Sequence, residues 1–187
     1  GVLLGNGRGE YDAVREYAYA TERHSFEKAV IADWNGDGIP DISVANDDDA
    51  VEILLANGDL TFPVVPTQGS GGSRPEQMAT ADFDGDGNRD LAVIHYTGTV
   101  GILTGEGDGT FLVARSLDTG GFGANSVTVG DFDADGYEDL AISHFSDNNV
   151  AVLLGNGDGS FAQPVLYGAG ANGPYSVTVG DFNEDTS

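Results

Sequence analysis

The stretch Asp82-Phe-Asp84-Gly-Asp86-Gly87-Asn-Arg-Asp90 decides the fold. It occurs upstream as Asp33-Trp-Asn35-Gly-Asp37-Gly38-Ile-Pro-Asp41 and downstream as Asp131-Phe-Asp133-Ala-Asp135-Gly136-Tyr-Glu-Asp139. A fourth copy, Asp181-Phe-Asn183-Glu-Asp185, runs into the last residues of the sequence. Successive copies start about 49 residues apart, and a fixed period of roughly 20 to 50 residues marks a repeat architecture.

A second marker alternates with the first. It reads Leu154-Gly155-Asn156-Gly157-Asp158-Gly159-Ser160-Phe161, with partners beginning at Leu4, Leu55 and Thr104. Between the markers lie short apolar runs bounded by Gly, Asn or Asp, which is strand-and-turn punctuation. In the third full unit the expected strands are Ser126 to Phe132, Asp139 to Phe145, Asn149 to Leu154 and Phe161 to Tyr167. Several are apolar on both faces, as a sheet packed between two other sheets requires. No segment carries a long helical period.

Four antiparallel strands per repeat make one blade of a β-propeller, so the expected class is all-β. The competing architecture, a stacked β-solenoid, repeats at shorter periods. The expected organisation is a single repeat domain. Residues 1–25 supply strands three and four of a partial blade. Residues 26–75, 76–124 and 125–174 form full blades. Residues 175–187 give the first strand and truncated loop of another. That split reads as a piece of a longer array, with a self-closed four-bladed ring or blades completed between chains as the alternatives.

The acidic loop fits a calcium site. Alternate residues of a tight loop converge, so positions one, three and five offer side-chain oxygens, the seventh its carbonyl and the ninth a carboxylate. The expected ligands are Asp33, Asn35, Asp37, Ile39 and Asp41, then Asp82, Asp84, Asp86, Asn88 and Asp90, then Asp131, Asp133, Asp135, Tyr137 and Asp139. Asp181, Asn183 and Asp185 form an incomplete fourth set. An EF-hand needs Glu at the twelfth position, and Val44, Val93 and Ile142 stand there. Zinc is disfavoured because the chain has no cysteine and the loops hold no histidine. The bland alternative is a polar turn whose Asp side chains cap backbone N–H groups. Asn35 replaces a carboxylate, so the first complete loop is expected to bind calcium most weakly.

Composition narrows the partners. The chain has 187 residues and net charge −24, from 31 acidic and 7 basic residues. A nucleic-acid binder needs a basic footprint, and none is present. No apolar run is long enough to span a membrane. Neither a Gly-x-Ser-x-Gly elbow nor a Ser/His/Asp arrangement is apparent, so no enzymatic role is expected. His95 and His144 occupy one repeat position, and a structural hydrogen bond is expected of them. Trp34 stands where the other loops have Phe and is expected to pack between blades.

The motifs Asp-Phe-Asp-Gly-Asp-Gly (82–87), Asp-Phe-Asp-Ala-Asp-Gly (131–136) and Leu-Leu-Gly-Asn-Gly-Asp-Gly-Ser-Phe (153–161) resemble the FG-GAP and VCBS repeats of integrin α-subunit propellers and their relatives. The resemblance covers essentially the whole chain. It implies calcium in the hairpin between the first two strands and ligand binding on the opposite face. It further implies an extracellular or cell-surface protein of adhesion or recognition, with a protein or carbohydrate partner. On that opposite face the strand count places Asn46, Asp48, Arg74, Tyr96, Phe122, Phe145 and Tyr175. The alternatives are a structural subunit self-associating through incomplete blades, and a non-catalytic appendage of an enzyme.

Overall fold

The computed structural model describes residues 26–180 apart from 60, 64, 113 and 171. The expected partial blade at 1–25 and the fourth loop with Asp181, Asn183 and Asp185 lie outside the described residues. Among the described residues there are three four-stranded sheets and no helix. The first holds β1 (Phe26–Ala32), β2 (Asp41–Asn46), β3 (Ala50–Leu54) and β4 (Gln68–Gly69). The second holds β5 (Pro75–Ala81), β6 (Asp90–His95), β7 (Thr99–Leu103) and β8 (Arg115–Asp118). The third holds β9 (Ala124–Gly130), β10 (Asp139–His144), β11 (Asn149–Leu153) and β12 (Val165–Gly168). Every sheet is antiparallel with its strands in chain order, as expected of a blade.

The second strand of each blade shows why the sequence chooses this packing. All six residues of β6 are buried, yet they point two ways. Leu91 and Val93 join Trp34, Ala45, Val51 and Ile53 in a core against the first blade. Ala92 and Ile94 join Leu140, Ile142 and Leu153 in a core against the third. Alternation along a strand sends neighbours to opposite faces, so an unbroken apolar run serves two interfaces. Full burial of each Leu, Ile or Val contributes about 1.5–3 kcal/mol. The cores therefore sit between sheets, and each blade depends on the next.

The first strands line up beside one another, β1 against β5 and β5 against β9. Side chains bridge them. Gln77 Oε1 accepts the Val127 N–H at 2.6 Å, and Ser126 Oγ accepts the Val177 N–H at 3.3 Å. Both acceptors follow a register shift that places Glu76 or Asn125 as the extra residue. Such a bulge re-aims the side chains beside it.

Two boundaries differ from the expected strands. Phe161 makes only an isolated bridge to Gly155, and β12 starts at Val165, just past Pro164, which has no N–H to donate. Likewise β4 is two residues long, because Pro63 and Pro66 interrupt the approach to it. Residues 174–180 run beside β9 without strand pairing.

Candidate metal centre

Each acidic loop joins the first strand of a blade to the second. Its shape comes from side chains folding onto its own backbone. At the first position Asp82 accepts the N–H groups of Gly85 and Gly87 at 2.7 and 2.9 Å. Asp33 and Asp131 hold Gly38 and Gly136 in the same way at 2.8 and 2.9 Å. The third position caps the fifth: Asn35, Asp84 and Asp133 accept the N–H of Asp37, Asp86 and Asp135 at 3.1–3.2 Å. The fifth caps the seventh at 2.7–2.9 Å, to Ile39, Asn88 and Tyr137. These are Asx turns, and in the second loop they bring three successive loop carboxylates to one centre.

Two groups of three carboxylates converge, Asp82 with Asp84 and Asp86, and Asp131 with Asp133 and Asp139. Within each, ligand oxygens lie within 4.8 Å of one another. Two oxygens on opposite sides of a Ca²⁺ ion, each about 2.4 Å away, are separated by about that distance. The donors are all hard oxygens, which suits Ca²⁺ rather than a soft metal. Crowding leaves a mark on titration. Desolvation, then the charges of Asp86 and Asp82, raises the Asp84 pKa above the usual carboxylate value. Desolvation followed by the charge of Asp135 does the same to Asp133. A bound cation would relieve that repulsion, so the residues fit the group. Among the described residues no such trio forms in the first loop, where Asn35 holds the third position.

The ninth position is built differently from the others. Asp41, Asp90 and Asp139 are fully buried at the start of β2, β6 and β10. Each spends both carboxylate oxygens on backbone. Asp90 accepts Phe83 N–H at 2.7 Å within the loop and Gly105 N–H at 2.8 Å from the glycine turn after β7. Asp41 bonds Trp34 and Ala56 at 2.9 and 2.6 Å, and Asp139 bonds Phe132 and Gly155, both at 2.7 Å. Burial pushes the Asp90 carboxyl up to about 6 against the pull of those two N–H groups. The ninth residue is thus a stitch between the acidic loop and the glycine turn, which the ligand pattern alone does not reveal.

That turn also explains the second marker. Gly157, at φ +70°, lies under the Tyr137 ring, where an added Cβ would fall 2.2 Å from Cε1. Gly107 lies under Asn88 in the same way. Two residues further along, the turn reaches the preceding blade. Gly109 N–H donates to Trp34 O and Gly159 N–H to Phe83 O, both at 2.9 Å. Trp34 stacks edge-on against Phe111 at 5.3 Å and Phe83 against Phe161 at 5.5 Å. Trp34 packs between blades as expected, with its indole N–H buried and unpartnered.

The opposite edge of each sheet holds the remaining sequence candidates. Asn46 is buried, its amide donating to Glu52 at 2.9 Å and its oxygen accepting from Asp48 and Ala50. Asp48 is exposed in the turn that follows. His95 and His144 are buried beneath this edge. His95 Nε2 lies 3.0 Å from Ser70 Oγ, and His144 Nε2 lies 2.8 Å from Thr119 Oγ1. The Ser70 and Thr119 hydroxyls also reach the carbonyls of Asp49 and Gly98, at 2.7 and 2.9 Å, while Nδ1 of His95 faces Thr99 O at 3.2 Å and Nδ1 of His144 faces Asn149 Oδ1 at 2.7 Å, so each ring is tied down through both nitrogens. Arg74, Tyr96, Phe122, Phe145 and Tyr175 gather around the turns above. Arg74 lies over the Tyr96 ring at 4.1 Å. Tyr96 meets Phe122 at 5.0 Å, and Phe145 meets Tyr175 at 4.8 Å.

The family model described as "FG-GAP-like repeat" matches residues 33–93, 82–142 and 132–186. The chain belongs to the FG-GAP-like repeat family. Each of the first two matches spans two whole acidic loops, and the third runs from inside the loop that starts at Asp131 into the copy that starts at Asp181. A search of curated proteins found no significant match. Among solved structures, the chain is similar to an Agrocybe aegerita lectin with specific recognition of non-reducing terminal N-acetylglucosamine. The TM-score is 0.55 at 20% identity, over 88% of this chain and 45% of the lectin chain, a likeness of fold. The Tc holotoxin pore of Photorhabdus luminescens also matches, with TM-score 0.48 and 25% identity over 74% of this chain and 7% of that one. The chain thus spans less than half the length of either protein. Among the described residues, no helix is long and apolar enough to cross a membrane.

Proposed function

We propose that this FG-GAP-like repeat chain is a calcium-stabilised, extracellular, non-catalytic recognition module. It binds a protein or glycan through the edge opposite the acidic loops. The observation that carries this reading is the exposure of aromatic rings there: Phe122, Phe145 and Tyr175 are 47%, 39% and 77% exposed. Exposed rings gathered at a loop edge cost solvation unless a partner covers them. The acidic edge has the opposite character, with side chains committed to loop shape and to calcium. Calcium sits in three loops, at Asp33, Asp82 and Asp131, with the first weakest because it has one carboxylate fewer. The His95–Ser70 and His144–Thr119 pairs support a non-catalytic role, since all four groups are buried and each pair is hydrogen-bonded onward to a backbone carbonyl.

Glycan and matrix-protein arrays, probed with and without calcium, test the reading. Specific capture that Phe145→Ala and Tyr175→Ala abolish supports it, and capture unaffected by both variants overturns it. A second reading, a subunit of an extracellular assembly, is favoured by apolar residues exposed on the terminal sheets. Ile31 is 67% exposed on β1, and Val165, Leu166 and Tyr167 are about half exposed on β12. A mass independent of concentration in analytical ultracentrifugation would defeat it.

A further inference from the structure

The second and third blades carry related aromatic corners that differ in their charged groups. In the second, Tyr96 follows β6 and its N–H donates to Arg74 O at 2.9 Å. In the third, Phe145 follows β10 and its N–H donates to Gly123 O at 2.8 Å. Arg74 and Gly123 are therefore equivalent, both with positive φ, at 60° and 77°. In each corner the link leaving the blade adds a second ring, Phe122 to Tyr96 and Tyr175 to Phe145. The second blade places a guanidinium on its corner, with Arg74 Cζ over the Tyr96 ring at 4.1 Å and Nη2 3.8 Å from Glu76 Oε1, where the third blade has Asn125. The third blade has the rings and, at Gly123, no side chain to supply the cation.

We infer that the Phe145–Tyr175 corner binds the guanidinium of an arginine in a peptide segment of a protein partner. This rests on the recognition-face reading above and gives its partner a chemistry. Three observations carry it. Arg74 on Tyr96 shows that this turn geometry accepts a guanidinium against a ring face, an attraction of about 0.5–2 kcal/mol that is greatest when desolvated. Both rings of the third corner are exposed, Tyr175 most of all. The surroundings are anionic: Asp147 lies in the same turn as Phe145, with Oδ2 on Phe122 N–H at 2.7 Å, and the chain carries −24 overall. A negative surface draws cationic segments toward the corner before contact. A glycan would also stack on the rings but gains nothing from that charge.

The test is NMR titration of the whole ¹⁵N-labelled chain in calcium and physiological salt. The probes are acetyl-Gly-Arg-Gly-amide, its neutral citrulline counterpart, and N-acetylglucosamine. The arginine peptide is expected to move amide signals at 145–148 and 175, and citrulline to bind about two- to thirtyfold more weakly. Tyr175→Ala is expected to cause a similar loss. Arg74→Asn, which keeps a residue tolerant of positive φ, is expected to add a second set of shifts at Tyr96 and Phe122. Equal shifts from citrulline, or shifts scattered over the acidic loops, would overturn the inference. Shifts at the corner from the sugar but not the arginine peptide would overturn it while leaving the recognition face standing. Silence from every probe would also overturn it, and the recognition face would then stand or fall on the array result alone.

Discussion

The two loop edges of these sheets use polar and aromatic groups in opposite ways. At the acidic edge nearly every carboxylate is turned inward, onto loop backbone, onto a glycine turn or toward a shared centre. At the other edge the polar groups close the turns, as Asp49 and Asp147 do on Arg74 and Phe122 N–H, while the rings stay outside. On the proposed reading, the contrast separates what holds the fold from what meets a partner. A conspicuous motif can belong wholly to the first task.

Calcium removal tests that division most severely. Each ion bound only to the folded chain, at about 100 times its dissociation constant, adds about 2.7 kcal/mol. A large fall in Tm in EDTA, read by calorimetry, is therefore expected. An unchanged Tm would assign the acidic loops to turn-capping alone.

A second comparison lies inside the acidic edge. Asp90→Ala strands two buried N–H donors, at about 1–3 kcal/mol each, and should destabilise the chain in calcium and in EDTA alike. Asp84→Ala should cost most of its stability only when calcium is present. Equal behaviour in urea titrations would mean the ninth residue is an ordinary ligand and not a stitch.

The opposite edge should respond in its own way. Tyr175→Ala should change stability by no more than about 0.5 kcal/mol while removing binding. Asn46→Ala should cost about 1–3 kcal/mol, since the buried Glu52 carboxylate and the Asp48 and Ala50 N–H groups lose their partner.

His95 and His144 give the edge a pH dependence. Burial lowers both pKa values below the unfolded 6.5, outweighing the pull of Thr99 and Asp49 on His95 and of Asn149, Asp147 and Asp118 on His144. The unfolded chain then binds protons first. The contribution is present above about pH 6.5 and is lost as pH falls below it. Denaturation at pH 5 and 7 should show the loss, and a His95→Gln/His144→Gln variant should flatten that interval. A modest effect is expected for Trp34→Phe. It removes an unpartnered buried N–H as well as apolar area, so its cost should stay under about 1.5 kcal/mol, below the usual toll of shrinking a core aromatic.

Much of this was legible in the sequence, for identifiable reasons. Periodicity fixes which residues are equivalent, so the twelve strands and the acidic loops follow from it. Apolar runs such as 91–94 announce a strand with two covered faces. Less legible were features set by contacts between elements. The pairing of Asp90 with Gly105 joins residues on different hairpins, and a ligand pattern gives no sign of it. The inward turn of Asn46 depends on Glu52 across the β2–β3 hairpin. Arg74 and Gly123 stand one repeat period apart, but the placing of the Arg74 guanidinium on Tyr96 joins two elements and no periodicity announces it.

The bridges between first strands have a further consequence. Neighbouring blades are bridged there by side chains, Gln77 at one junction and Asn125 with Ser126 at the next, rather than by a backbone ladder. The spacing near the inner strands thus leans on side chains at and beside each bulge. Exchanging those residues is expected to alter the pitch from blade to blade and to leave the hydrogen-bond ladders within each sheet intact. Blade-to-blade spacing in this architecture is a substitutable property, held apart from both the acidic loops and the aromatic edge.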